Sequence, residues 1–125
     1  MQEMWDKKAV SYPRFTGEPS VFHRGLYAKI AEFGVKFENK SVVDIGCGTG
    51  VHTLFLAQIC REITGMDISG EMLKVMVEDA AKFNITNLTA VQSDFKNFNP
   101  NRVYDVAFST MSPAIADEKD FVKFI

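Results

Sequence analysis

The stretch Val42-Val43-Asp44-Ile45-Gly46-Cys47-Gly48-Thr49-Gly50 constrains this chain more than any other. An apolar run ends on three glycines at alternate positions, and Val51 to Ile59 follows with helical spacing. That reads as strand, tight turn, helix. Glycine at the turn removes the side chain that would keep a ligand off the backbone. The following helix aims free N–H groups and the positive end of its dipole at the turn, so an anionic group can settle there.

The rest of the chain alternates around this unit. Ser20 to Phe33 reads as a helix with Phe22, Leu26, Ile30 and Phe33 on one face. Pro19 suits its start and Gly34 its end. His23, beside that stripe, reads as a partly exposed helix residue rather than a ligand. A second strand covers Glu62 to Met66 and ends in Asp67. Ser69 then caps a helix with Glu71 in its first turn. Its buried face runs through Met72, Leu73, Met76, Ala80 and Phe83, and Asn84 ends it. Leu88 to Gln92 is a third strand and Tyr104 to Phe108 a fourth. A last helix begins near Asp117, burying Phe121, Val122 and Ile125. Alternating strands and helices imply an α/β fold, a Rossmann-like parallel sheet with right-handed crossovers and helices on both faces. Ahead of this domain (residues 20–125) lies an arm (residues 1–19) rich in aromatics and breakers, without a sustained period. Two readings of it stay open: an ordinary terminal arm packed on the domain, and a lid in which Tyr12 and Phe15 give apolar cover.

Composition narrows the class. The chain has 125 residues, enough for one compact domain, with 24% charged residues and a net charge of -2. That balance disfavours a general nucleic-acid binder, which needs a basic face. No apolar run approaches the ~20 residues of a membrane span, and the first residues lack the apolar core of a signal peptide. Cys47 and Cys60 give no disulfide framework, and the expected location is the cytoplasm. Cys47, His52 and Cys60 match no common zinc spacing, so no metal site is expected.

Glycine spacing separates two ligand classes. The dinucleotide fingerprint is G-x-G-x-x-G; here the third glycine is Gly50 and the dinucleotide position holds Val51. The pattern is D-x-G-x-G-x-G, and it resembles motif I of the class I S-adenosylmethionine (SAM)-dependent methyltransferases. The match extends from Ser41 to Pro113. Polar residues stand at the carboxyl ends of successive strands, where ligands bind in such sheets. By resemblance, Asp67 is the acid that accepts hydrogen bonds from both ribose hydroxyls, with Ile68 and Met72 flanking the adenine. Core packing is the competing role for Met72. Asp94 would receive the adenine amino group and Phe95 cover the ring, with turn capping the competing role for Asp94. Asp44, inside or at the end of a central strand, needs partners to offset its burial; glycine-loop N–H groups and the ligand's ammonium are expected. Gly46, Cys47, Gly48 and Gly50 form the cofactor loop, with Cys47 a tolerated small residue.

The implied reaction is attack by an O, N, S or C atom of a substrate on the sulfonium methyl group. Holding the partners in line can supply much of the rate, and a general base is needed only if the nucleophile must lose a proton. No base stands out in the sequence. Ser109, Thr110 and Ser112 lie at the end of the fourth strand, where the methyl group would point. The Asn/Asp-Pro-Pro-aromatic signature of amino-methylating nucleic-acid enzymes is absent; the chain has Met111-Ser112-Pro113-Ala114. A small-molecule acceptor is therefore expected rather than DNA or RNA. A SAM-binding or interaction module without turnover is the alternative, and Val51 disfavours a nicotinamide-dependent oxidoreductase. The family's sheet has about seven strands in the order 3-2-1-4-5-7-6, whereas four are legible here. The reading is a cofactor-binding part truncated after the fourth strand, either a fragment of a longer enzyme or a homodimer formed through the exposed fourth-strand edge.

Overall fold

The computed structural model describes residues 1–96 and 98–110. Two helices open the chain, α1 (Gln2–Lys8) and α2 (Val21–Glu32). Then follow β1 (Ser41–Ile45), α3 (Val51–Ala57), β2 (Glu62–Asp67), α4 (Gly70–Lys82), β3 (Leu88–Gln92) and β4 (Val106–Phe108). The strands form one sheet in the order β3-β2-β1-β4, and every pairing is parallel. This is the expected Rossmann-like order through the fourth strand. The expected last helix, from Asp117, lies outside the described residues.

Each element follows from local chemistry. Ser20 caps α2, its side chain accepting from the His23 N–H, and Gly34 leaves the helix at φ +84°. Ser69 caps α4 in the same way through the Met72 N–H. β1 is buried along its whole length, as a central parallel strand must be. Side chains alternate across it. Val42 packs with Leu56, Ala57, Ile63 and Phe108. Val43 and Ile45 pack with Met66 against Phe95, Phe98 and Tyr104. A third cluster joins Leu54 of α3 to Leu73, Met76 and Ala80 of α4.

Three details differ from the sequence reading. The arm contains a helix, α1, which packs on α4, and its Phe15 is a core residue of the α3–α4 cluster. The expected apolar face of α2 is only partly used: Phe22 and Phe33 are 72% and 80% exposed, while Tyr27 and Ile30 contact the core. The 3.6-residue period placed Phe22 correctly on the helix, but Tyr27, stacked on Phe55 at 4.5 Å, turns the helix to a different face. Finally, β4 begins at Val106 rather than Tyr104: the Ser41 N–H donates to the Asp105 carboxylate, so a side-chain bond stands where a ladder bond would continue the strand.

Candidate functional site

The glycine loop is held by β2. The N–H groups of Gly46 and Cys47 both donate to the Met66 carbonyl, at 2.8 and 3.0 Å. Gly48, at φ +57°, has open space where a Cβ would stand, which leaves the backbone approachable. Its N–H donates to Asp67 Oδ2 at 2.8 Å. The other carboxylate oxygen, Oδ1, accepts from the Ser69 N–H at 2.9 Å. Asp67 thus ties the glycine loop to the start of α4 and stays half-buried. Each of its oxygens keeps a further lone pair.

Asp44 is 2% exposed. The sequence reading gave it glycine-loop N–H partners; the structure gives it the Thr53 hydroxyl instead, which donates to Oδ2 at 2.7 Å. The N–H groups of Gly46, Cys47 and Gly48 go to Met66 and Asp67, and that of Gly50 to the Cys47 carbonyl. Among the described residues its Oδ1 has no hydrogen-bond partner. Burial, helped by Asp67 and opposed by Thr53, pushes the carboxyl pKa up to about 7. A buried carboxylate with an unmet oxygen fits a cationic ligand group, since a charge there needs a partner. Burial, and the charges of Asp44 and Asp67, also raise the Cys47 thiol well above its usual value.

The remaining expected residues are placed as follows. Ile68 is half-buried and Met72 fully buried. Asp94 is exposed after β3, its Oδ1 accepting from the Lys96 N–H at 3.0 Å. Phe95 packs into the Val43 cluster. The Ser109 hydroxyl donates to the Ile45 carbonyl at 2.7 Å, joining the ends of β4 and β1. Ser112 lies outside the described residues. Among the described residues, no group of three His, Cys, Asp or Glu side chains could hold a metal ion.

Three contributors escaped the sequence reading. Thr53 is a polar residue on the buried side of α3, and its place nine positions after Asp44 was the available signal. Thr49, 1% exposed, donates to the Pro13 carbonyl, so the arm reaches the glycine loop. Asp6 accepts from the Ser69 hydroxyl and the Glu71 N–H, so α1 also reaches the start of α4. No sequence pattern connects Asp6 to Ser69.

The model of a methyltransferase domain matches residues 42–125. An uncharacterized RNA methyltransferase of Chlorobaculum tepidum is 32% identical over 74 residues, 59% of this chain and 15% of the relative. Pavine N-methyltransferase of Thalictrum flavum subsp. glaucum is 28% identical over 94 residues, 74% of this chain and 26% of the relative. Among solved structures, phosphoethanolamine N-methyltransferase 1 of Haemonchus contortus, in complex with phosphoethanolamine and S-adenosylhomocysteine, has a TM-score of 0.68. It is 21% identical and covers 98% of this chain and 27% of that one, a likeness of fold. The chain spans less than half the length of the curated relatives it matches. With residues 42–125 matched and the sheet order of the fold in place, the chain belongs to the methyltransferase-domain family of class I SAM-dependent enzymes.

Proposed function

We propose that this chain is the cofactor-binding part of an enzyme that transfers the methyl group of SAM to a small-molecule acceptor. The observation that carries the reading is the junction at Asp67, which gathers the glycine loop and the start of α4 around one carboxylate. SAM supplies a methyl group on a positively charged sulfur. Asp67 would accept the ribose hydroxyls, and Asp44 Oδ1 would face the ammonium. Gly46, Cys47, Gly48 and Gly50 would let the backbone approach the cofactor. Ile68, Met72, Asp94 and Phe95 complete the proposed adenine side, and Ser109 the methyl side. Contacts of residues 1–19 with both Thr49 and Ser69 support reading this arm as a cover for the domain of residues 20–125.

A small-molecule acceptor is supported by the net charge of -2 and by the likeness to pavine N-methyltransferase. The likeness to an RNA methyltransferase makes a structured RNA the second acceptor class to assay. Among the described residues, no helix is long and apolar enough to cross a membrane. The unpaired thiols of Cys47 and Cys60 support a cytoplasmic location. Titration calorimetry tests the cofactor: SAM or S-adenosylhomocysteine is expected to bind in the micromolar range and NADH not at all. NADH binding with SAM silent would overturn the reading. SAM binding without transfer to any small-molecule or RNA acceptor would favour a binding module.

A further inference from the structure

Asp44 and Thr53 form a buried polar pair among apolar neighbours. Side chains alternate along β1, and Val42, two positions before Asp44, packs with Leu56 and Ala57 of α3. Asp44 points to the same side, where the Thr53 hydroxyl lies 2.7 Å from its Oδ2. Both residues are buried. The register partners of Asp44 are Gly65 on β2 and Phe108 on β4, and neither brings a polar side chain. The space a Gly65 Cβ would need is taken by the Met76 side chain and the Cys47 sulfur. Among the described residues, Thr53 is the side chain that hydrogen-bonds Asp44, and Oδ1 is left over.

Charge fixes the direction of the bond. An ionised carboxylate has no hydrogen to give, so Thr53 donates to it. Such a bond favours the charged form, whereas burial disfavours it. Burial raises the Asp44 pKa to about 7, with Thr53 opposing the rise and the charge of Asp67 adding to it. The other groups around the pair are neutral. The Cys47 thiol is raised by burial and then by the charges of Asp44 and Asp67. The Tyr27 hydroxyl is raised by burial and then by Asp44. His52, next to Thr53 on α3, is lowered to about 4 by burial and then by His23. Among the described residues no Lys, Arg or His pairs with Asp44, so a cation for it has to come from a ligand.

Resting on the cofactor reading above, we propose that Thr53 is a positioning residue, which holds Oδ2 of Asp44 so that the carboxylate presents Oδ1, charged, to the ammonium of the cofactor. Thr53 touches no ligand itself and acts through Asp44. Without its hydroxyl, nothing in the chain offsets the burial of that charge, and the proton stays on Asp44 to higher pH. A protonated Asp44 has no charge to offer an ammonium. The pair therefore selects adenosine thioethers that carry a cationic amino group over those that do not.

Calorimetric titration of the full chain between pH 5.5 and 8.5 tests this with two probes. S-adenosylhomocysteine has the amino group; 5′-methylthioadenosine lacks it. In the wild type, affinity for S-adenosylhomocysteine is expected to rise with pH through about 7, and affinity for 5′-methylthioadenosine to stay flat. Thr53→Val removes the hydroxyl and keeps the branched shape. It is expected to bind S-adenosylhomocysteine about fivefold more weakly at pH 7, to move the rise to higher pH, and to leave 5′-methylthioadenosine unaffected. Thr53→Ser restores the donor and should restore the wild-type profile. Thr53→Ala removes the same donor and serves if the valine variant does not fold. A profile unmoved in the variants without a hydroxyl overturns the proposal alone, as does an equal pH rise for both probes in the wild type. Binding of neither probe overturns the cofactor reading and this proposal together.

Discussion

Asp44 and Asp67 sit at the ends of neighbouring strands, yet their surroundings give them different physical characters. Asp67 is half-buried and accepts two backbone N–H groups; charge-assisted bonds of that kind are among the stronger ones. Asp67→Ala is therefore expected to weaken SAM binding by ~1–3 kcal/mol, measured by calorimetry. The Gly48 and Ser69 N–H groups would also lose their acceptor, lowering stability by about 1–2 kcal/mol in denaturant melts. An unchanged dissociation constant in a folded variant would remove Asp67 from the site. Asp44 is buried with one hydroxyl partner, and its pKa stands at about 7, above the ordinary 3.8. A raised folded-state pKa means that the native protein binds more protons than the unfolded chain between these values. Its stabilising contribution is full below pH 4 and is lost as pH rises to about 7, on the order of 3–5 kcal/mol. His52, lowered from 6.5 to about 4, acts with the opposite sign across that interval. Only the difference between wild type and Asp44→Asn isolates Asp44. The variant is expected to gain relative stability as pH rises from 4 to 7. Cofactor binding runs the other way: an ammonium favours ionised Asp44, so SAM affinity should rise with pH up to about 7 and level off. Asp44→Asn should bind weakly at every pH and show no such rise in calorimetric titrations.

Elements with strong local signals were legible in the sequence. β3 occupies Leu88–Gln92, the expected range, because Asn84 and the residues that follow mark its start. The cap at Ser69 and the buried stripe of α4 also match expectation. What the sequence did not disclose depends on contacts between distant residues. The arm has no period, yet Phe15 is 5% exposed and packs edge-on against Phe83 at 5.0 Å. Arg14 pairs with Asp79, a buried acid on α4, which no amphipathic pattern would have placed inside. Phe15→Ala should therefore cost about 3–5 kcal/mol in a denaturant melt, as a buried aromatic does. A cost below about 1 kcal/mol would mean that the arm is only loosely attached. The close approach of α4 to the glycine loop was equally hidden. Gly50 caps α3 at φ +84°, and a Cβ there would overlap the Met76 side chain. Left-handed strain of ~1–2 kcal/mol and overpacking of ~1–3 kcal/mol act together. Gly50→Ala is thus expected to lower stability by roughly 2–5 kcal/mol, read as a shifted melting midpoint. Gly48→Ala meets open space and should show only the strain, ~1–2 kcal/mol.

At the scale of the whole molecule, the sheet has two outer strands of unequal character. β3 has Leu88 and Val91 half-buried and Thr89, Ala90 and Gln92 exposed; polar side chains on an edge discourage pairing with another chain. β4 is apolar, with Val106 and Ala107 half-buried and Phe108 buried, and pairs with β1 on one side only among the described residues. An apolar edge of this kind recruits further strands. Its length works against strong association, since three residues offer few ladder bonds. Apolar area elsewhere adds to the drive: Phe22 and Phe33 of the α2 region are largely exposed, and apolar surface removed from water contributes ~25 cal/mol per Å². We therefore expect a chain of these 125 residues to self-associate, most simply as a two-fold dimer through β4. Light scattering on protein verified by mass to end at Ile125 measures this directly. Ala107→Pro separates the two sources of association. Proline removes an edge N–H, so a β4-mediated dimer should fall apart, whereas association through Phe22 and Phe33 should not change. A wild-type chain that stays monomeric at high concentration would refute the edge argument.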